Sequence, residues 1–173
     1  MEHEPDTYMT EGDDAAALTR AELSLIRANE AFSRWSEYLH MSVSSPRLGF
    51  QEICLLHSIR MRGGAQNLSE LLMFLNRTDV STIQYSLRKI EQHGLIERVT
   101  GKSRREAGYR LTPSGVAATD AYAAAREEIL LSLVAEIKGF NGSLSGAAAA
   151  LERLTGLYDQ ATQTVLNRRI MAR

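Results

Sequence analysis

Cysteine, proline, histidine and long apolar runs are all scarce in this 173-residue chain, and net charge is close to zero at −1. The single thiol, Cys54, excludes an intrachain disulfide. No apolar run is long or uncharged enough to cross a bilayer, and the first residues lack the basic and apolar regions of a secretory signal. The protein is therefore expected to avoid membranes and to act in the cytoplasm. Four scattered histidines, His3, His40, His57 and His93, define no catalytic triad. There is no glycine-rich phosphate loop, nucleophile elbow, metalloprotease helix or paired-cysteine motif either, so neither enzyme activity nor a cofactor is expected.

What is present is uneven. Residues 1-14 hold six acids (Glu2, Glu4, Asp6, Glu11, Asp13, Asp14) and no lysine or arginine, which leaves +5 on the remainder. Residues 76-110 carry eight basic residues against four acidic ones and so account for +4 of that excess. The positive charge is concentrated in one stretch, while the acidic start has too little apolar content to offset its ordering entropy and is expected to be a disordered tail.

The basic stretch has a legible order. A short apolar helix is predicted over Leu68 to Leu75, a turn over Asn76 to Asp79, and a second helix over Val80 to His93. In the second helix Ile83, Leu87 and Ile90 recur at intervals of four and three, which places them on one core-facing side. Ser81, Thr82, Tyr85, Arg88 and Lys89 then face outward, with Gln84 on the flank. Asp79 suits the N-cap, where its carboxylate can accept first-turn N–H groups, and Gly94 supplies the stop. Two strand-like runs follow, Leu95 to Thr100 and Gly108 to Leu111, separated by a basic insert with glycine at each end. Lys102, Arg104 and Arg105 in that insert suit phosphate oxygens. Helix, turn, helix and hairpin in this order make a winged helix-turn-helix, which carries two separate devices for touching one DNA duplex.

Long helical patterns flank this region. From Ala15 to Val43 the residues Leu18, Leu25, Ala28, Phe32, Trp35, Leu39 and Val43 form one apolar stripe, which Pro46 ends. Phe50 to Arg62 reads as another helix, stopped by Gly63-Gly64. Thr112 can cap and Pro113 can open an Ala-rich helix to about Lys138. Gly139, Asn141, Gly142 and Gly146 are read as breaks before a last helix from about Leu144, with Leu151, Leu154, Tyr158, Ala161 and Val165 as its stripe. The terminal helices carry more apolar surface than one small winged domain covers. Either they fold back on their own chain or they interleave with a second copy, and their length and alanine content favour the homodimer. The expected fold is mainly α (α+β winged helix). Residues 1-14 form the tail, 15-45 an N-terminal dimerisation helix, 46-112 the winged helix-turn-helix and 113-173 the C-terminal dimerisation helices.

Ser69-Glu70-Leu71, Ile83, Leu87, Gly94-Leu95-Ile96-Glu97-Arg98 and Leu111-Thr112-Pro113-Ser114-Gly115, in this layout over roughly residues 18-168, resemble the MarR family of bacterial transcriptional regulators. Between Leu71 and Ile83 the chain has one residue more than the common family pattern, which lengthens the turn around Asn76 and Arg77. Ser103-Arg104-Arg105-Glu106 matches the family's wing motif only in part. The resemblance implies a homodimeric repressor on an inverted-repeat operator, with Val80 to His93 as recognition helix and Lys102 to Arg105 as wing. Base edges or nearby phosphates fall to Ser81, Thr82, Gln84, Tyr85 and Arg88, and phosphates to Arg77, Lys89, Lys102, Arg104 and Arg105.

The resemblance also implies release by a small aromatic or acidic ligand or by an oxidant. The candidate sensing residues are Trp35, Tyr38, Cys54 and His57. Buried cysteine is ordinarily an apolar filler, and activation of Cys54 by His57 stays open beside that reading. The same pair, three apart on a helix, supplies only two metal ligands, and no metal site is expected. A winged-helix module that dimerises through protein contacts without reading DNA is the alternative function.

Overall fold

A computed structural model describes residue 9, residues 11–100 and residues 108–171. The chain is mainly helical with one small antiparallel sheet, and it divides into two compact units, Met1–Ala125 and Arg126–Arg173. Most of the acidic start and the whole basic insert, including Lys102, Arg104 and Arg105, lie outside the described residues.

In the first unit, helix α1 (Asp13–Val43) begins within the expected tail. Asp13 and Asp14 occupy its first turn, where carboxylates suit the positive end of the helix dipole. Helix α2 (Phe50–Arg62) matches its predicted bounds, because glycines flank it and Gly63 and Gly64 adopt φ of 66° and 64°. It buries Ile53, Leu55, Leu56 and Ile59 at the centre of the core. Helix α3 (Leu68–Phe74) starts from a reciprocal cap. The Asn67 side chain accepts from Glu70 N at 3.0 Å, and the Glu70 carboxylate accepts from Asn67 N at 2.9 Å. Asn76 then takes a left-handed φ of 50°, and this carries the extra turn residue.

Helix α4 (Val80–Gln92) packs Ile83, Leu87 and Ile90 on α2, as their spacing requires, and Gly94 at φ 69° turns the chain out of it. Asp79 stands at the N-cap position but makes no cap hydrogen bond; both its carboxylate oxygens hold Arg77 instead, at 2.8 and 2.6 Å. A guanidinium two residues away offers a charged fork, which outcompetes a neutral N–H for the same oxygens.

Strands β1 (Ile96–Val99) and β2 (Gly108–Leu111) pair antiparallel, with Ile96 opposite Leu111 and Val99 opposite Gly108. An element that the sequence does not announce joins them. Gln66 exchanges two backbone hydrogen bonds with Tyr109, of 2.8 and 2.9 Å, a single bridge that ties the residues just ahead of α3 to β2. Only glycine fits at 108, since a Cβ there would lie 2.5 Å from the Gln66 carbonyl group. Thr112 caps helix α5 (Pro113–Arg126) by accepting from Gly115 N, and its hydroxyl donates to the Gly94 carbonyl at 2.6 Å. A Cβ at Gly115 would sit 2.0 Å from Leu95 O, so α5 and the residue that leads into β1 touch backbone to backbone there.

In the second unit a π-helical segment (Glu127–Leu131) and a short helix α6 (Ser132–Ala135) precede helix α7 (Phe140–Met171). Gly139 at φ 76° is the break, but α7 starts earlier than expected and runs through Asn141, Gly142 and Gly146. An interior glycine costs a helix only about 1 kcal/mol, and the surrounding alanine-rich sequence tolerates it. No residue of α7 is buried within the single chain.

Candidate nucleic-acid interface

The polar face of α4 is built by subtraction. Ile83, Ser86, Leu87 and Ile90 turn into the core, which leaves Ser81, Thr82, Gln84, Tyr85 and Arg88 exposed along the opposite side. Tyr85 is 62 % exposed, an unusual position for an aromatic ring that has nothing to cover. Four of the five residues expected to face outward on this helix, together with Gln84 from its flank, are therefore brought together on one surface.

Lys89 is the exception. It is half-buried and its Nζ lies 3.2 Å from the Glu52 carboxylate of α2, so its charge is spent within the fold. Ser86, read as neither core nor contact in the sequence, is buried beside it and donates to the same carboxylate at 3.2 Å. Glu52 also accepts from Gly49 N at 2.7 Å and thereby caps its own helix.

Other cations of the basic stretch are paired as well. Arg77 forks onto Asp79, which holds that carboxyl down at about 2. On the hairpin Arg98 pairs with Glu91 at 3.2 Å and Arg110 with Glu97 at 2.7 Å, and the Arg98 guanidinium also covers the Tyr109 ring. Exposed pairs of this kind are weak and exchangeable, whereas Arg88 forms no ion pair with any described residue. The excess positive charge seen in the sequence thus contracts, among the described residues, to one free guanidinium on a hydrogen-bonding face. Lys102, Arg104 and Arg105 fall outside the described residues.

The candidate sensing residues are not assembled. Cys54 lines a cavity of about 390 Å³ with Asn29, Phe50, Gln51, Leu75, Arg77 and Ile83. His57 packs its ring on Tyr122, 4.4 Å between centroids, while Trp35 rests half-buried on the core and Tyr38 is 67 % exposed. Burial pushes the Cys54 thiol up, with Arg77 opposing in part, and burial together with nearby His40 lowers His57 to about 4. At neutral pH the imidazole is uncharged and the thiol protonated, the reverse of an activated pair. Among the described residues no three His, Cys, Asp or Glu side chains converge on a metal position, and no helix is long and apolar enough to cross a membrane.

Comparison with known proteins finds the same fold elsewhere. Residues 48–115 match the family model for a winged helix DNA-binding domain. Among solved structures, a MarR family transcription regulator superposes with a TM-score of 0.66 at 19 % identity, over 87 % of this chain and 95 % of its own. MarR of Staphylococcus aureus in complex with salicylate and kanamycin gives 0.65 at 12 % identity, over 83 % and 93 %. The MepR–DNA complex of S. aureus gives 0.56 at 19 %, over 78 % and 94 %. No curated protein matches the chain.

Proposed function

We propose that this chain, a winged-helix protein with the fold of the MarR family regulators, binds duplex DNA as a homodimer and represses transcription from an inverted-repeat operator. The observation that carries the reading is the polar face of α4, where the unpaired Arg88 stands among Ser81, Thr82, Gln84 and Tyr85. An apolar docking surface would have no use for such a face. Arg88 can fork onto guanine and Gln84 onto adenine, while Arg77 and the wing residues Lys102, Arg104 and Arg105 hold phosphates. That MepR was solved with DNA supports the same use of this fold.

Dimerisation is supported by apolar surface that the single chain leaves open. Leu18, Leu23, Leu25 and Ile26 on α1, and Leu151, Leu157, Val165 and Leu166 on α7, are all exposed. Two copies of α4 would then enter successive major grooves about 34 Å apart. A small acidic ligand would release the DNA, and the Arg77 cavity supports this, since an anion there competes with Asp79 for the guanidinium beside the first turn of α4. The reading places the protein in the cytoplasm, where its DNA is.

A binding selection from a random DNA pool at near-physiological salt tests the proposal. An enriched inverted repeat with half-sites one helical turn apart is the expected result. Salt-sensitive binding without enrichment would instead favour a winged-helix protein-interaction module.

A further inference from the structure

The ion pair between Glu52 and Lys89 sits in an unusual place for a structural contact. Lys89 follows Arg88 directly on α4 and lies one turn beyond Tyr85, at the margin of the face that meets DNA. Its side chain is 35 % exposed, so the ammonium is within reach of solvent, whereas the Glu52 side chain is only 10 % exposed. The carboxylate is fixed from two other directions. Gly49 N, at 2.7 Å, anchors the oxygen that takes Lys89, and Ser86 Oγ, at 3.2 Å, anchors the other. A Cβ on Gly49 would come within 2.9 Å of that first oxygen, so the bare backbone at 49 is what lets the carboxylate dock there. Glu52 is thus an anion held by its own helix start and by Ser86, and Lys89 is its more exposed partner.

We propose that Glu52 masks Lys89 from DNA, and so sets the balance between sequence-specific and non-specific binding by the recognition helix. This rests on the DNA-binding reading above. Each lysine that neutralises a phosphate adds sequence-independent affinity and a fixed increment of salt dependence. A lysine beside Arg88 would hold any duplex. Held by Glu52 it contributes no net charge, and discrimination falls to Arg88, Gln84 and their neighbours. The same carboxylate positions α4 through Ser86, so orientation and charge of the reading helix are set by one residue on another helix, 37 positions from Lys89.

Glu52→Gln separates these roles, because glutamine is isosteric and retains an acceptor for Gly49 N but carries no charge. The test measures the affinity of the full chain for the selected operator and for random duplex across 50 to 200 mM salt, with thermal melts to check folding. For the wild type, Lys89→Met should leave the salt dependence unchanged. In Glu52→Gln the plot of log affinity against log salt should steepen by about 0.9 for each protomer bound, with tighter random-DNA binding and a smaller operator preference. The double variant Glu52→Gln/Lys89→Met should return to the wild-type slope, which a merely structural role for Glu52 would not produce. An unchanged slope in a folded Glu52→Gln protein overturns the mask, as does a shallower slope in Lys89→Met alone, which would make Lys89 an ordinary phosphate contact. Wild-type protein that binds neither DNA would remove the DNA-binding reading itself, a result distinct from either of these.

Discussion

Acidification from pH 7 to pH 5 is expected to cost this protein about 2 kcal/mol of stability through His57 alone. The ring projects from α2 onto Tyr122 of α5, its buried Nε2 has no hydrogen-bond partner among the described residues, and His40 lies close enough to repel a second charge. Burial brings its protonation down from the ordinary 6.5 to about 4, so in the interval between those values the unfolded chain binds a proton that the folded chain refuses. Stability is therefore complete above the unfolded value and declines as pH falls toward 4, with a limit of about 3 kcal/mol for a shift of this size. Roughly two-thirds of that is lost by pH 5, where Asp79, at about 2, is far from titrating. The assay is urea denaturation at fixed protein concentration at pH 7, 6 and 5, on wild type and on His57→Phe, which keeps a ring against Tyr122 but cannot ionise. Wild type should lose stability steadily and the variant should lose less over the same range, with His40, itself lowered by burial, still contributing in the same direction. Equal slopes in the two proteins would falsify the assignment to His57.

Other perturbations address the interface and the joints that hold it. Arg88→Ala should weaken an operator site by about 1–3 kcal/mol per half-site while changing random-DNA binding far less, measured by fluorescence anisotropy; equal losses on both would make Arg88 a phosphate contact. Gly115→Ala should lower the melting temperature by several degrees, because its Cβ meets backbone rather than a yielding side chain, and a melt unchanged from wild type would show that α5 and the Leu95 backbone are not in contact there. Cys54 should react with iodoacetamide at pH 7 more slowly than the same thiol in urea-unfolded protein; a faster reaction in the folded state would restore the activated thiolate.

Local signals made much of this fold legible in the sequence. The ends of α2, the stop at Gly94, the span of β2 and the core side of α4 all depend on residues within a turn of one another, and each was read to within a residue or two. What escaped was non-local. Nothing near Gln66 marks it for a bridge, since its partner Tyr109 is 43 positions away and the pairing needs the gap left by Gly108. Lys89 looked like any outward cation because Glu52 becomes its neighbour only when α2 and α4 pack. Asp79 had the right type for a cap, but the adjacent guanidinium took its oxygens. At α7 the difference is one of weight: Gly139 is a break, but Gly142, Gly146 and Asn141 beyond it are absorbed by the helix.

The bridge between Gln66 and Tyr109 has a mechanical consequence. Because the hairpin's return strand is stitched to the residues that launch α3, the base of the wing cannot tilt without dragging the helix-turn-helix with it. Buried Gln66 reinforces the stitch, its amide donating to the Gly63 carbonyl at the end of α2 and accepting from Arg62. Strand, turn and reading helix then behave as one stiff tool head. If the chain reads DNA as proposed, adjustment to a bent or underwound duplex would have to come from outside this head, and tolerance for half-site spacing would follow the joints beyond it and not play within it.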